Sequence, residues 1–242
     1  MSGLALTADG RLLAHNDEQG KVYVMDPRRG VLLKQFAIGE RGMRGDFEGI
    51  TVSGNTIYML TSNGNVYQFQ EGADGARVPV TLHDTRLGRE CEFEGVAYAP
   101  DSAWLVLPCK NIGKKNLRDQ LLIYRWHIGP GSSPRLSMLS VPLIQLIRAT
   151  AWKNLNPTDI TIEPKTGNYV LIAAQQNALI EITPAGDLVR AVRLPGDLRQ
   201  AEGVAITRDG ILIVSDEGLK TPASINLFRW PLAAPAAAGA SQ

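Results

Sequence analysis

The sequence predicts an all-β protein, a five-bladed β-propeller of four-stranded antiparallel blades, and three observations predict it. The tripeptide Glu-Gly-(Ile/Val) occurs as Glu48-Gly49-Ile50, Glu94-Gly95-Val96 and Glu202-Gly203-Val204. Ser2-Gly3-Leu4 and Thr158-Asp159-Ile160 fill the same slot with the acid replaced. The spacing is regular: 46 residues separate Gly3 from Gly49 and Gly49 from Gly95, 44 separate Asp159 from Gly203, and only the third interval, 64, is longer. Self-similarity at this period means one supersecondary unit per repeat. The third observation is short alternating apolar runs broken by turn signals, with almost no helical periodicity, and radial meanders of about 45 residues are propeller blades.

The repeats start near residues 2, 46, 92, 156 and 200. In the first, residues 4–7, 12–15, 21–25 and 31–36 read as strands, with a turn at Asp9-Gly10. In the second, 48–53, 56–60, 66–70 and 78–82 do so, with turns at Gly54-Asn55 and Asn63-Gly64. The third repeat carries an insertion between Gly129 and Asn154, whose 141–147 stretch is apolar enough for an outer strand or a short helix. The fourth gives 160–162, 169–173, 179–182 and 188–194; the fifth gives 204–206, 211–215 and 225–230 and lacks an obvious fourth strand. Residues 1–230 therefore read as a single domain, and the Pro/Ala-rich 231–242 as a disordered tail.

Composition excludes several classes. A formal charge of +1 with no basic stripe argues against nucleic acid. No apolar run approaches the roughly 18 residues of a membrane span, so no transmembrane segment is expected. No charged n-region and apolar h-region precede the first strand, and an upstream signal or anchor removed from the chain is one expectation. His15, His83 and His127 are isolated, and neither zinc spacings, a Gly-x-Ser-x-Gly elbow nor a P-loop occurs. Cys91 and Cys109 flank neighbouring strand ends of the third repeat, so a disulfide and two free, partly buried thiols are both open.

The two-residue period of a strand places the acids. Glu48, Ile50 and Val52 share one face, as do Glu94, Val96 and Tyr98, and Glu202, Val204 and Ile206, whereas the opposite faces are small. First strands line a propeller's channel, so Glu48, Glu94 and Glu202, with Ser2 and Thr158, are expected in one layer at its mouth. Asp46, Glu92, Asn156 and Gln200 are expected just above. Carboxylates about 5 Å apart repel by roughly 3 kcal/mol per pair at an effective dielectric near 20, so this layer needs compensation. Three readings stay open: a hard divalent cation such as Ca²⁺, held by Glu48, Glu94, Glu202, Asp46 and Asp159; proton sharing that raises one carboxyl's pKa; and carboxylates that only accept backbone N–H bonds. Arg44, Arg89, Lys110 and Arg199 stand on loops opening on the same side, a rim suited to an anionic small molecule or protein partner.

Ser2-Gly3-Leu4, Asn16-Asp17-Glu18, Asp46-Phe47-Glu48-Gly49-Ile50, Glu92-Phe93-Glu94-Gly95-Val96, Ala201-Glu202-Gly203-Val204 and Val214-Ser215-Asp216-Glu217 together resemble the SdiA-regulated (YjiK-like) family. The resemblance covers nearly the whole chain. It implies a phytase-like or esterase-like propeller, periplasmic or anchored in the bacterial envelope, with calcium. It carries Asp46, Glu48, Glu94 and Glu202 over as the acidic motif, with Asp17, Glu18, Asp216 and Glu217 closing second strands as ligand-facing residues. The middle blades instead end those strands in Ser62-Asn63, Cys109-Lys110 and Gln175-Gln176, so no second metal cluster is predicted. The functions in view are a Ca²⁺-binding propeller that binds an anionic ligand, a metal-assisted hydrolase of phosphate or carboxylic esters, and a glycosidase-like pair, Glu94 and Glu202.

Overall fold

The computed structural model describes residues 1–128, 136–196, 198–217 and 222–232. Five antiparallel sheets form, one per repeat. Blade one comprises β1 (Ser2–Leu6), β2 (Leu12–His15), β3 (Lys21–Asp26) and β4 (Val31–Ile38). Blade two comprises β5 (Phe47–Ser53), β6 (Thr56–Thr61) and β7 (Asn65–Gln70); after β8 (Arg77–Val78), β9 (Thr81–Asp84) completes it. The expected single strand at 78–82 is thus split. β8 pairs in parallel with β4 of blade one, while β9 pairs with β7. Pro79, which has no N–H to donate to a ladder, stands at the break.

In blade three, β10 (Cys91–Phe93) and β11 (Ala97–Ala99) both pair with β12 (Trp104–Ile112), which is followed by β13 (Gln120–His127) and β14 (Leu136–Pro142). The chain breaks from the ladder at Glu94, where a continuous strand is expected, because Gly95 adopts a φ of +90° that few other residues tolerate. The apolar insertion resolves both ways, as the end of β14 and then a short helix, α1 (Leu143–Ile147). Blade four comprises β15 (Asp159–Ile162), β16 (Tyr169–Ala173), β17 (Ala178–Ile182) and β18 (Leu188–Arg193). Blade five has three strands among the described residues: β19 (Ala201–Ile206), β20 (Ile211–Asp216) and β21 (Ser224–Arg229). Of the expected tail, Leu232 packs beside the blade four–five core and its carbonyl accepts from Arg190; residues 233–242 lie outside the described residues.

Apolar faces meet between blades, giving five cores rather than one. Phe36 and Val24 pack on Phe47 and Met59 between blades one and two, and Leu60 and Val66 on Phe93 and Leu107 between two and three. Val106 and Ile123 pack on Ile160 and Leu171 between three and four, and Ile172 and Leu179 on Val204 and Val214 between four and five. Leu4, Leu12 and Ala14 pack on Ala205 and Ile213, closing the wheel from blade five to blade one. Phe47 and Phe93, one residue before the repeated glutamates, are both fully buried, and each such side chain contributes about 1.5–3 kcal/mol. No helix among the described residues is long and apolar enough to cross a membrane.

Candidate functional site

The glycine slot of each repeat brings the inner strands together at the axis. A Cβ on Gly49 would lie 2.6 Å from Val96 N and 2.7 Å from Gly95 Cα, and one on Gly95 would lie 2.7 Å from Asp159 Cα. A Cβ on Gly203 would lie 3.1 Å from the Gly3 carbonyl carbon, and one on Gly3 would lie 3.1 Å from Gly49 Cα. Backbone therefore rests on backbone around the ring, an approach only residues without a side chain permit. The fourth blade places Asp159 in this layer. It is buried, with Oδ2 accepting the Val204 N–H at 2.7 Å, and the Ile160 and Leu4 N–H groups also favour its charged form. Burial outweighs these donors and raises its pKa well above the ordinary carboxyl value.

Directly before the glycines stand the predicted acids, and the structure brings Glu48, Glu94 and Glu202 to one mouth. Glu94 is the hub: its charge acts on Glu48 and on Asp159, and that of Glu202 acts on it. Burial first, then Glu94 and Asp46, push Glu48 up to about 9. Burial also raises Glu94, to about 7, although Lys110 Nζ lies 2.5 Å from its Oε1 and lowers it. Glu202 is raised by burial and by Glu217, while Gln200 donates to it and Ser2 Oγ donates to its Oε2 at 3.5 Å. Asp46 is exposed and accepts from Ser62 Oγ at 2.5 Å; Glu92 accepts from Asn111 at 2.8 Å.

Other expected members are engaged elsewhere. The Thr158 hydroxyl donates to the Ala201 carbonyl at 2.7 Å, an inter-blade bond. Asp216 is buried and accepts the Gln200 and Arg199 N–H groups at 2.7 and 3.1 Å, holding the loop into β19. Glu217 accepts from Gln200 at 2.8 Å, which ties it to Glu202. Asp17 contributes its carbonyl to the Phe47 N–H at 2.7 Å, and the exposed Glu18 and Arg44 pair at 3.5 Å. Arg89 and Arg199 are exposed on their loops. Cys91 and Cys109 form a disulfide, the first of the two alternatives.

Sequence reasoning placed Lys110 on the rim, but it stands among the acids, because β12 carries it past the disulfide to Glu94. Sequence reasoning missed three buried polar atoms beside the glycine layer: Asp159 Oδ1, His15 Nε2 and Ser215 Oγ have no hydrogen-bond partner among the described residues. They lie 2.5, 2.6 and 2.4 Å from the Cβ positions of Gly95, Gly3 and Gly203. Register alone could have flagged His15 and Ser215, which face the glycine slot from second strands. The carboxylates at the mouth are oxygen ligands, the chemistry a hard cation takes, with the nitrogens of Lys110, Gln200 and the N-terminus beside them. Among the described residues, however, no three His, Cys, Asp or Glu side chains are grouped so that they could hold a metal ion.

Fold and site together define a class: a five-bladed β-propeller with an acidic mouth and a closed axis. The sequence profile of the SdiA-regulated family matches residues 145–228, so the resemblance is shown over that stretch. No curated protein matches the chain. Among solved structures it is similar to a glutaminyl cyclase from Myxococcus xanthus, at 16% identity and a TM-score of 0.61, over 93% of this chain and 89% of that one. It is similar to a streptogramin B lyase at 16% identity and a TM-score of 0.52, over 96% and 69%, and to a luciferin-regenerating enzyme at 12% and 0.55, over 91% and 84%. At these identities the likeness is one of fold.

Proposed function

We propose that this chain is a ligand-binding propeller of the bacterial envelope whose acidic mouth takes a cation, Ca²⁺ being the ion its donors suit, and through it an anionic small molecule or protein partner. One observation carries the reading. Glu48, Glu94, Glu202 and Asp159 are desolvated around a single axis, each with a raised pKa, with the Lys110 ammonium on Glu94 and the N-terminal ammonium acting on Glu202. Burial keeps protons on these carboxyls, and a cation entering among them displaces protons and pairs with the carboxylates it frees. Because the carboxylates are not grouped as a cage and Lys110 holds Glu94, an incoming ion competes with that ammonium. The Cys91–Cys109 disulfide supports an oxidising compartment. The exposed Arg44, Arg89 and Arg199 supply forks for an anion bridged by the metal.

Calorimetric Ca²⁺ titration of chelator-treated protein tests this. Wild type is expected to bind, Glu94→Gln to bind at least tenfold more weakly, and Lys110→Ala more tightly because the competing charge is gone. Absence of binding by Lys110→Ala at millimolar Ca²⁺ would defeat the reading.

A second reading rests on Glu94 alone. A carboxyl pushed up to about 7 beside an ammonium is poised to exchange a proton near neutrality, as ester or glycoside hydrolysis requires. Turnover of chromogenic phosphate, carboxylic-ester or glycoside substrates that is lost in Glu94→Gln distinguishes it from simple binding.

A further inference from the structure

The acidic mouth lies where the inner strands begin; their far ends open on a space of different character. Leu6, Val52, Tyr98, Ile162 and Ile206 stand three residues after the glycine slot of each blade, one per blade, and line a single cavity of about 570 Å³. That volume falls within the roughly 300–1,000 Å³ of small-molecule sites. Ile206 is buried, while Leu6, Val52, Tyr98 and Ile162 are half-buried, packed on one side against the cores between blades and lining the space on the other. Several hydroxyls nearby are engaged, while those of Tyr98 and Thr161 also line the space. Thr51 Oγ1 accepts the Tyr98 N–H at 3.0 Å, Thr207 Oγ1 accepts the Ile211 N–H at 2.9 Å, and Thr7 Oγ1 donates to Asp9 and accepts the Arg11 N–H at 3.0 Å. The five-residue ring therefore offers an apolar body carbon to stand on.

The inner end is blind, because backbone meets backbone at the glycine layer and Asp159 fills the fourth position. The rim is lopsided in charge: Arg28 and Arg208 both line it, on adjoining blades one and five. Arg28 is paired with Asp209 at 2.5 Å, whereas the exposed Arg208 has no ion pair among the described residues. We infer that this second mouth binds a small amphipathic anion, an aromatic or aliphatic acid whose apolar body stands on the five-residue ring and whose acid group meets Arg208. This site is independent of the acidic mouth and of any metal there.

Two fluorescent probes test it: 8-anilino-1-naphthalenesulfonate and its uncharged relative N-phenyl-1-naphthylamine. Each is expected to bind the folded protein with one-to-one stoichiometry. Val52→Trp, which fills the cavity, should weaken both at least tenfold with an unchanged melting temperature, and Leu6→Trp on another blade repeats the measurement should the first variant fold poorly. Arg208→Glu should weaken the sulfonate about fivefold and leave the uncharged probe alone, while Glu94→Gln at the opposite mouth should affect neither. Wild-type binding of both probes by folded Val52→Trp or Leu6→Trp overturns the site. Equal loss, or no loss, of the two probes in Arg208→Glu overturns the anionic half of the inference.

Discussion

Gly49 shows how one position sets the geometry of a whole channel. Its missing Cβ would meet Val96 N and Gly95 Cα at 2.6 and 2.7 Å, atoms of a neighbouring inner strand that no rotamer change can move aside. Gly49→Ala is therefore expected to cost about 1–3 kcal/mol, the usual range for overpacking, measured by denaturant unfolding. Ordinary stability in that variant would mean the inner strands do not touch as described. Asp159 is the counterpart in blade four, a side chain where the other blades have none. The sequence flagged the replacement as a variation on the motif. What it could not supply was the direction of the carboxyl, which depends on N–H groups from blades one, four and five converging on it. Lys110 escaped for a similar reason: two-residue alternation assigns a face, but not how far a flexible four-carbon chain reaches inward.

Among the elements, blade three departs most from its repeat. β10 and β11 leave Glu94 between two short ladders on β12, and the disulfide joins Cys91 on β10 to Cys109 on β12, just before Lys110. The covalent link ties β10 to β12 beside the break. With the cysteines 18 positions apart, replacing both by alanine is expected to cost about 3 kcal/mol by loop entropy, seen as a lower denaturation midpoint. An unchanged midpoint would show that the hydrogen-bonded strands alone fix the turn. Most other elements were legible, because Asp9-Gly10 and Asn63-Gly64 turns flank alternating runs and such local signals suffice for hairpins. The split at Pro79 and the parallel β4–β8 pair were not legible, since a two-residue strand borrowed by a neighbouring blade leaves no period to read. The turn from β14 into α1 at Pro142 was half legible, as a single apolar run compatible with either state.

For the whole molecule, the buried charges set how stability follows pH. Glu48 titrates at about 9 in the folded chain against an ordinary 4.5, so between those values the folded state keeps a proton that the unfolded state has lost. Stability then falls as pH rises through that window. Glu94, at about 7, adds to the fall between 4.5 and 7. His15 works the other way: buried neutral with its pKa lowered to about 4 against 6.5, it makes stability rise with pH between those values. Above pH 7 neither Glu94 nor His15 contributes, so the unfolding free energy of chelator-treated protein is expected to decline from pH 7 to 9. That decline should be shallower in Glu48→Gln, and identical slopes in the two proteins would remove Glu48 as its cause.

The contact of glycine with glycine about the axis, with one aspartate wedged among them, has a topological outcome. Nothing can thread the wheel from end to end: it is two cups set base to base, not a tube. A guest in one cup cannot crowd or trade places with a guest in the other. Any signal between them has to pass through the strands that form their common floor.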